Sequence, residues 1–157
     1  MKIKVMNMAI KWMCSLPGEL SVEQLYEVLR LRSEVFVVEQ QCVYQDVDGQ
    51  DLQGETRHLM AWDEDRLVAY LRLLDPATQN GDVVIGRVVI VPAARGTGLG
   101  HELMAQALAH CARHWPDIPL YLSAQAHLQG YYGRSGFVAQ GDEYLEDGIP
   151  HIAMRRA

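Results

Sequence analysis

Apolar residues follow two rhythms along this chain. Leu25, Val28, Leu29, Arg32, Val35 and Phe36 recur three and four positions apart, which predicts an amphipathic helix running to about Val38. Ser21 with Gln24 three residues on is a capping box that starts it. The same period returns at Leu103, Met104, Ala107, Leu108 and Cys111 and predicts a second helix over His101–Arg113, stopped by Trp115-Pro116-Asp117-Ile118-Pro119. Shorter apolar runs read as strands: Ala9–Cys14 before the Leu16-Pro17-Gly18 turn, Arg57–Trp62 and Arg66–Leu74 around the Asp63-Glu64-Asp65 turn, and Leu120–Ala124. Asp75–Asp82, with its Pro, Asn and Gly, is a further turn. The β-branched run Val83–Val91 predicts a strand buried on both faces, closed by Pro92, which lacks the donor a ladder needs. A short helix over His127–Ser135 ends at Gly136. The strands Phe137–Gln140 and His151–Arg155 follow, joined through Glu146-Asp147-Gly148-Ile149-Pro150. Glu39–Glu55 carries neither rhythm and reads as an unusually long polar loop.

Chemistry concentrates between the Val83–Val91 strand and the second helix, in Arg95-Gly96-Thr97-Gly98-Leu99-Gly100. A glycine-rich turn there delivers backbone N–H groups to a helix N-terminus, whose unpaired donors and partial positive charge bind anions, phosphate above all. Gly98 and Gly100 carry no Cβ to hold a pyrophosphate away from the backbone. The turn is not a P-loop, because His101-Glu102 stand where Lys and Ser or Thr are required. Nor is it a dinucleotide fingerprint, since neither glycine register ends on a third glycine.

Composition narrows the reading without redirecting it. The 157 residues suffice for one domain, taken as 9–157 with residues 1–8 as an N-terminal extension; Met8 is a second candidate start. A net charge of −6 and the lack of a basic stripe argue against nucleic-acid binding. Cys14, Cys42 and Cys111 are widely spaced and odd in number, so reduced thiols are expected rather than a disulfide framework or a zinc site. Lys11 interrupts the apolar residues after the basic start, leaving a poor signal peptide and no bilayer span; a cytoplasmic protein without membrane partners is expected. Asp46-Val47-Asp48-Gly49-Gln50-Asp51 superficially suggests calcium, but Arg57 occupies the position of the final EF-hand glutamate, and no metal is expected. These acids read either as a lure for a cationic amine or as a solvated turn.

The pattern Arg-x-x-Gly-x-Gly after Ile90-Val91-Pro92 resembles the coenzyme A pyrophosphate loop of the GCN5-related N-acetyltransferase (GNAT) superfamily. Tyr131-Tyr132-Gly133-Arg134-Ser135-Gly136-Phe137 resembles its second signature, and Gln125 stands where the superfamily often has asparagine. Arg32–Gln40, Tyr44–Gly49, Arg57-His58, Ser123–His127 and Glu146–His151 extend the resemblance to the ElaA-type branch over nearly the whole chain. The resemblance implies an α+β fold in α/β/α layers, with a mixed central sheet whose parallel strands, Val83–Val91 and Leu120–Ala124, splay around acetyl-CoA. It implies an N-acetyltransferase that moves the acetyl group directly to a primary amine in a ternary complex, with a small molecule or a peptide, through its N-terminus or a lysine, open as the acceptor. A non-catalytic acyl-CoA sensor on the same fold is the alternative, and a homodimer is the superfamily's habit.

By the same resemblance, the backbone of Arg87, Val88, Val89 and Ile90 runs along the pantetheine, with an N–H of Val88 or Val89 on the thioester oxygen. Arg95, Gly96, Thr97, Gly98, Leu99 and Gly100 hold the pyrophosphate, Gln125 contacts the pantetheine arm, and Tyr132 protonates the departing thiolate. Tyr131 is a neighbouring decoy. No motif fixes the general base, and a water chain is as open as any side chain. Glu34, Glu39, His58, His127 and His151 are candidates, with His151 preferred because it starts the last strand beside the one carrying Gln125; His110 and His114 read as surface residues.

Overall fold

A computed structural model describes residues 9–157; the expected 1–8 extension and the alternative start at Met8 lie outside the described residues. The chain runs β1 (Lys11–Ser15), α1 (Val22–Arg32), β2 (Arg57–Asp63), β3 (Arg66–Leu74), β4 (Val83–Ile90), α2 (Leu99–His114), β5 (Leu120–Gln125), α3 (Gln129–Gly133), β6 (Val138–Glu146) and β7 (Ile149–Arg156). The strands form one seven-stranded sheet among the described residues, in the order β1-β2-β3-β4-β5-β7-β6. Every neighbouring pair is antiparallel except β4 and β5.

Strand alternation sorts side chains between two helical layers. Met60, Trp62, Tyr70 and Val89 pack on one face against Val28 and Leu31 of α1, with Val35 just beyond it. Leu59, Leu71, Leu73, Ile85 and Leu122 face the other way, against Leu103, Met104 and Ala107 of α2 and Tyr132 of α3. The Ser21–Gln24 capping box opens α1 as expected. Past Arg32 the helix widens into a π-helical stretch, Ser33–Glu39, so the predicted single helix is an α-helix with a π-helical end.

Two features of β4 build the site. Its parallel pairing with β5 holds only at Val83↔Leu120 and Val84↔Tyr121, after which the strands part. Toward β3, Tyr70 pairs with Val89 and Arg72 with Gly86, so Arg87 and Val88 together oppose Leu71. That is a β-bulge, and it leaves a peptide of β4 outside the ladder. Arg87 occupies the left-handed region at φ 53°, uncommon without glycine. The bulge also shifts the strand's phase, which puts Gly86 and Val89 on the same face. Burial on both faces, expected for Val83–Val91, is therefore corrected: Val83, Ile85 and Val89 are buried, while Val84, Gly86, Val88 and Ile90 are only partly covered.

The last strands are longer than their apolar runs. β6 reaches Glu146 and β7 begins at Ile149, because Asp147-Gly148 alone make the turn, with φ 52° and 79°. Pro150 belongs to β7 rather than to the connection. Polar residues hid β6, an exposed edge strand that buries no side chain. The predicted His127–Ser135 helix shortens to a 3₁₀ turn over Ala126–Leu128 followed by α3. His110 and His114 lie at the surface as expected, partly covered and stacked on each other. No helix among the described residues is long and apolar enough to cross a membrane.

Candidate active site

Where β4 and β5 part, a crevice of about 770 Å³ opens between the layers. The glycine turn borders it. Gly96 and Gly98 both adopt left-handed backbone, at φ 76° and 90°, and Gly98 caps α2. None of the described residues lies within 4 Å of where either Cβ would be. Conformation requires these glycines, and the space beside them is open. Gly100 has a different reason: a Cβ there would sit 3.3 Å from the Tyr131 ring. Thr97 Oγ1 donates to the Ala94 carbonyl and braces the turn. The first N–H groups of α2 have no carbonyl one turn earlier to bond.

The structure brings Arg87–Ile90, Arg95, Gly96, Gly98, Gly100, Gln125, Tyr132 and His151 to the walls of this one crevice. Thr97 is a brace, and the Leu99 side chain turns into the core. The Arg95 guanidinium is already engaged: it grips both oxygens of Glu39 at 2.7 and 3.0 Å and donates to the Ile90 carbonyl. It ties the end of the π-helical stretch to the turn. That contact holds the Glu39 carboxyl below its usual pKa and occupies it, which removes Glu39 as a free base.

Tyr132 is 6% exposed, and burial, with Tyr131 beside it, keeps its phenol protonated well above the ordinary pKa. Tyr131 donates to the Gly100 carbonyl at 2.5 Å, which identifies it as a support of the turn; burial pushes its phenol up to about 12.

Of the base candidates, His58 is sealed in the interior. Its Nε2–H donates to the Asp51 carbonyl at 2.8 Å and its Nδ1 accepts from the Tyr70 hydroxyl at 2.6 Å. Burial lowers its pKa, so the ring is neutral. His127 and His151 line the crevice; Glu34 is exposed outside it. His151 pairs with Gln125 across β5 and β7, and its Nδ1–H donates to the Ile149 carbonyl at 2.7 Å. That bond commits Nδ1 and leaves Nε2 facing the crevice, with Glu146 Oε2 3.6 Å away.

The Asp46–Asp51 loop follows neither expectation. Its acids are held by arginines of this same chain. Arg32, fully buried, binds Asp46 Oδ2 at 2.9 Å and Asp51 Oδ1 at 2.6 Å. Arg72 reaches Asp48 at 2.7 Å and Asp51 at 3.0 Å, and Arg87 reaches Asp46 at 2.8 Å. Burial alone would raise the Asp48 and Asp51 carboxyls, but the arginine contacts override it and both lie below the usual range. Among the described residues no cluster of three His, Cys, Asp or Glu is placed to hold a metal ion.

Sequence reasoning missed this network and the row of Tyr121, Ser123 and Glu146 on the open sheet face. A signal did exist. Arg32 stands in an apolar helix stripe and Arg72 between Leu71 and Leu73, and a buried arginine demands acidic partners.

A layered mixed sheet, a splayed parallel pair and a glycine turn at a helix N-terminus define an acyl-CoA transferase architecture, and the acetyltransferase (GNAT) domain profile matches residues 19–157. The chain belongs to the GNAT acetyltransferase family. It is 52% identical to protein ElaA of Escherichia coli over 147 residues, covering 94% of this chain and 96% of that protein. The crystal structure of that ElaA superposes with a TM-score of 0.89 at 51% identity, over 94% of this chain and 99% of the other. An acyl-CoA N-acyltransferase from Pseudomonas aeruginosa is 62% identical with a TM-score of 0.92, over 95% of this chain and all of that one. The fold extends to BjaI, a CoA-dependent acyl-homoserine lactone synthase solved with SAM and isopentyl-CoA, at 21% identity and a TM-score of 0.72, over 94% of this chain and 82% of that one.

Proposed function

We propose that this protein is an N-acetyltransferase that moves the acetyl group of acetyl-CoA directly to a primary amine in a ternary complex. The observation that carries the reading is the bulge at Arg87-Val88, set where β4 leaves β5 and opening onto the same crevice as the glycine turn. A peptide released from the ladder supplies a preorganised donor. In this reading an N–H of Val88 or Val89 polarises the thioester carbonyl, a contribution worth roughly 10²-fold to 10³-fold in rate. Arg87–Ile90 flank the pantetheine, Gln125 holds its arm, and the Arg95–Gly100 backbone takes the pyrophosphate.

Tyr132 serves as the acid for the departing thiolate; burial, which holds its proton firmly, also keeps water from replacing it. His151 Nε2 takes the proton from the amine, because its Nδ1–H is committed to Ile149. Thiol release from acetyl-CoA that depends on an added amine tests the reading, whereas binding of acetyl-CoA without such release would identify a sensor. His151→Ala should lower turnover while leaving CoA affinity intact, and His151→Gln should recover part of the activity if the role is only to orient the amine.

A further inference from the structure

The acceptor half of the crevice has a definite charge preference. Among the described residues the charged groups lining it fall into internal pairs, Glu39 with Arg95 and Asp48 with Arg72 and Arg87, except on the β6–β7 hairpin. There Glu146 and Asp147 line the crevice without an arginine or lysine partner. The Glu146 side chain is 49% exposed. It accepts from Ser123 Oγ at 3.3 Å, and its other oxygen lies 3.6 Å from His151 Nε2. His151 itself is 8% exposed, and its free nitrogen faces this same carboxylate.

We infer that Glu146 is the receptor for the acceptor, and that the acceptor is a cationic primary alkylamine carrying no carboxylate. This rests on the transferase reading above. An ammonium between Glu146 and His151 has a counter-charge on one side and a proton acceptor on the other. A carboxylate on the acceptor meets repulsion from Glu146 and Asp147. It finds no free arginine, because Arg72 and Arg87 are bonded to Asp46, Asp48 and Asp51. In the reaction the amine nitrogen forms a bond to the acetyl carbon, and the carbon–sulfur bond breaks. The ammonium loses two protons. One passes through His151 to solvent, and the other restores the proton that Tyr132 gives the thiolate.

The experiment compares 1,4-diaminobutane, butylamine and 4-aminobutanoate, which have similar amine basicity and descend from doubly cationic to zwitterionic. With acetyl-CoA, thiol release should give kcat/KM in that order. Glu146→Gln should raise the KM for diaminobutane about tenfold, flatten the series and leave acetyl-CoA affinity unchanged. Calorimetry of diaminobutane against the CoA-loaded protein, parent and Glu146→Gln, reads the acceptor site without turnover. Binding that depends on Glu146 but yields no thiol release sinks the transferase reading and keeps the acceptor site. Thiol release in which 4-aminobutanoate equals diaminobutane, or in which Glu146→Gln keeps the parent's KM, overturns the inference alone. So does calorimetry that finds no Glu146-dependent binding.

Discussion

The turn Arg95–Gly100 takes its backbone shape from its own neighbours, whereas Asp46, Asp48 and Asp51 are fixed by arginines 14 to 41 positions away. Both regions border the same crevice, yet they are built from different materials. The turn works through glycine dihedrals and the unpaired N–H groups of α2, and only the Arg95 side chain reaches far, to Glu39. The acidic loop works through charged side chains from α1, β3 and β4, which converge on one point. It also anchors the bulge. Arg87, in a left-handed conformation, ties its guanidinium to Asp46, which Arg32 holds in turn. Local architecture prepares the turn proposed to take the pyrophosphate, and long-range ion pairs hold the peptide proposed to face the thioester.

Breaking each region should therefore do different damage. Arg32→Ala leaves Asp46 and Asp51 buried without their main partner and should destabilise the fold by about 3–5 kcal/mol. Urea unfolding measures this, and a loss under about 1 kcal/mol would mean that the loop is merely draped over the sheet. Tyr132→Phe keeps the packed ring and removes the proton. Turnover should fall by about 10²-fold with CoA affinity and stability little changed; equal turnover would assign the thiolate's proton to water.

Gly98→Val is the matching lesion in the glycine turn. A branched residue at φ 90° costs about 1–3 kcal/mol of strain, and none of the described residues crowds its side chain. The protein should remain folded while CoA affinity, read by calorimetry, falls about tenfold as the turn distorts. A folded variant with unchanged affinity would remove this turn from the CoA site.

The contrast also explains what could be read from the sequence. Elements whose cause is local were legible: the Ser21 cap, the α2 period, the glycine turn and the Tyr132-to-Phe137 spacing. The splayed pair followed from the family resemblance and stands in the register of Val83 and Val84. The bulge was not legible, because two residues opposing Leu71 is a property of the β3–β4 register, and Val83–Val91 looks like an uninterrupted strand. The Asp46–Asp51 partners were hidden for the same reason. A run of acids looks solvated until Arg32, Arg72 and Arg87 are brought beside it. β6 was shortened because an exposed edge strand carries no apolar period.

The smallest effect is the one that acid should reveal, and it separates the two regions without mutation. His58 is buried and neutral with a lowered pKa, so below about pH 6.5 the unfolded chain binds a proton there that the folded chain refuses. Stability should begin to decline at that point. Asp48 and Asp51 have pKa values depressed in the folded state, so their contribution is complete above the unfolded carboxylate range near pH 4. It should be lost as pH falls further, toward their folded values. The unfolding free energy is therefore expected to fall in two stages, a shallow one from His58 together with His110 and His114 on α2, whose pKa values burial also lowers, and a steeper one from the aspartates. The His58 and aspartate contributions share the long-range network, since His58 donates to the Asp51 carbonyl and shares Tyr70 with the core. The glycine turn adds to the lower stage only the solvent-exposed Arg95–Glu39 pair, which depresses the Glu39 carboxyl, because its other working groups are backbone amides that do not titrate. Gly98→Val should shift the whole pH–stability curve downward without changing its shape. Asp51→Asn should flatten the lower stage while leaving the onset near pH 6.5. A parent curve flat from pH 7 to pH 4 would place His58 in contact with solvent and detach it from the network.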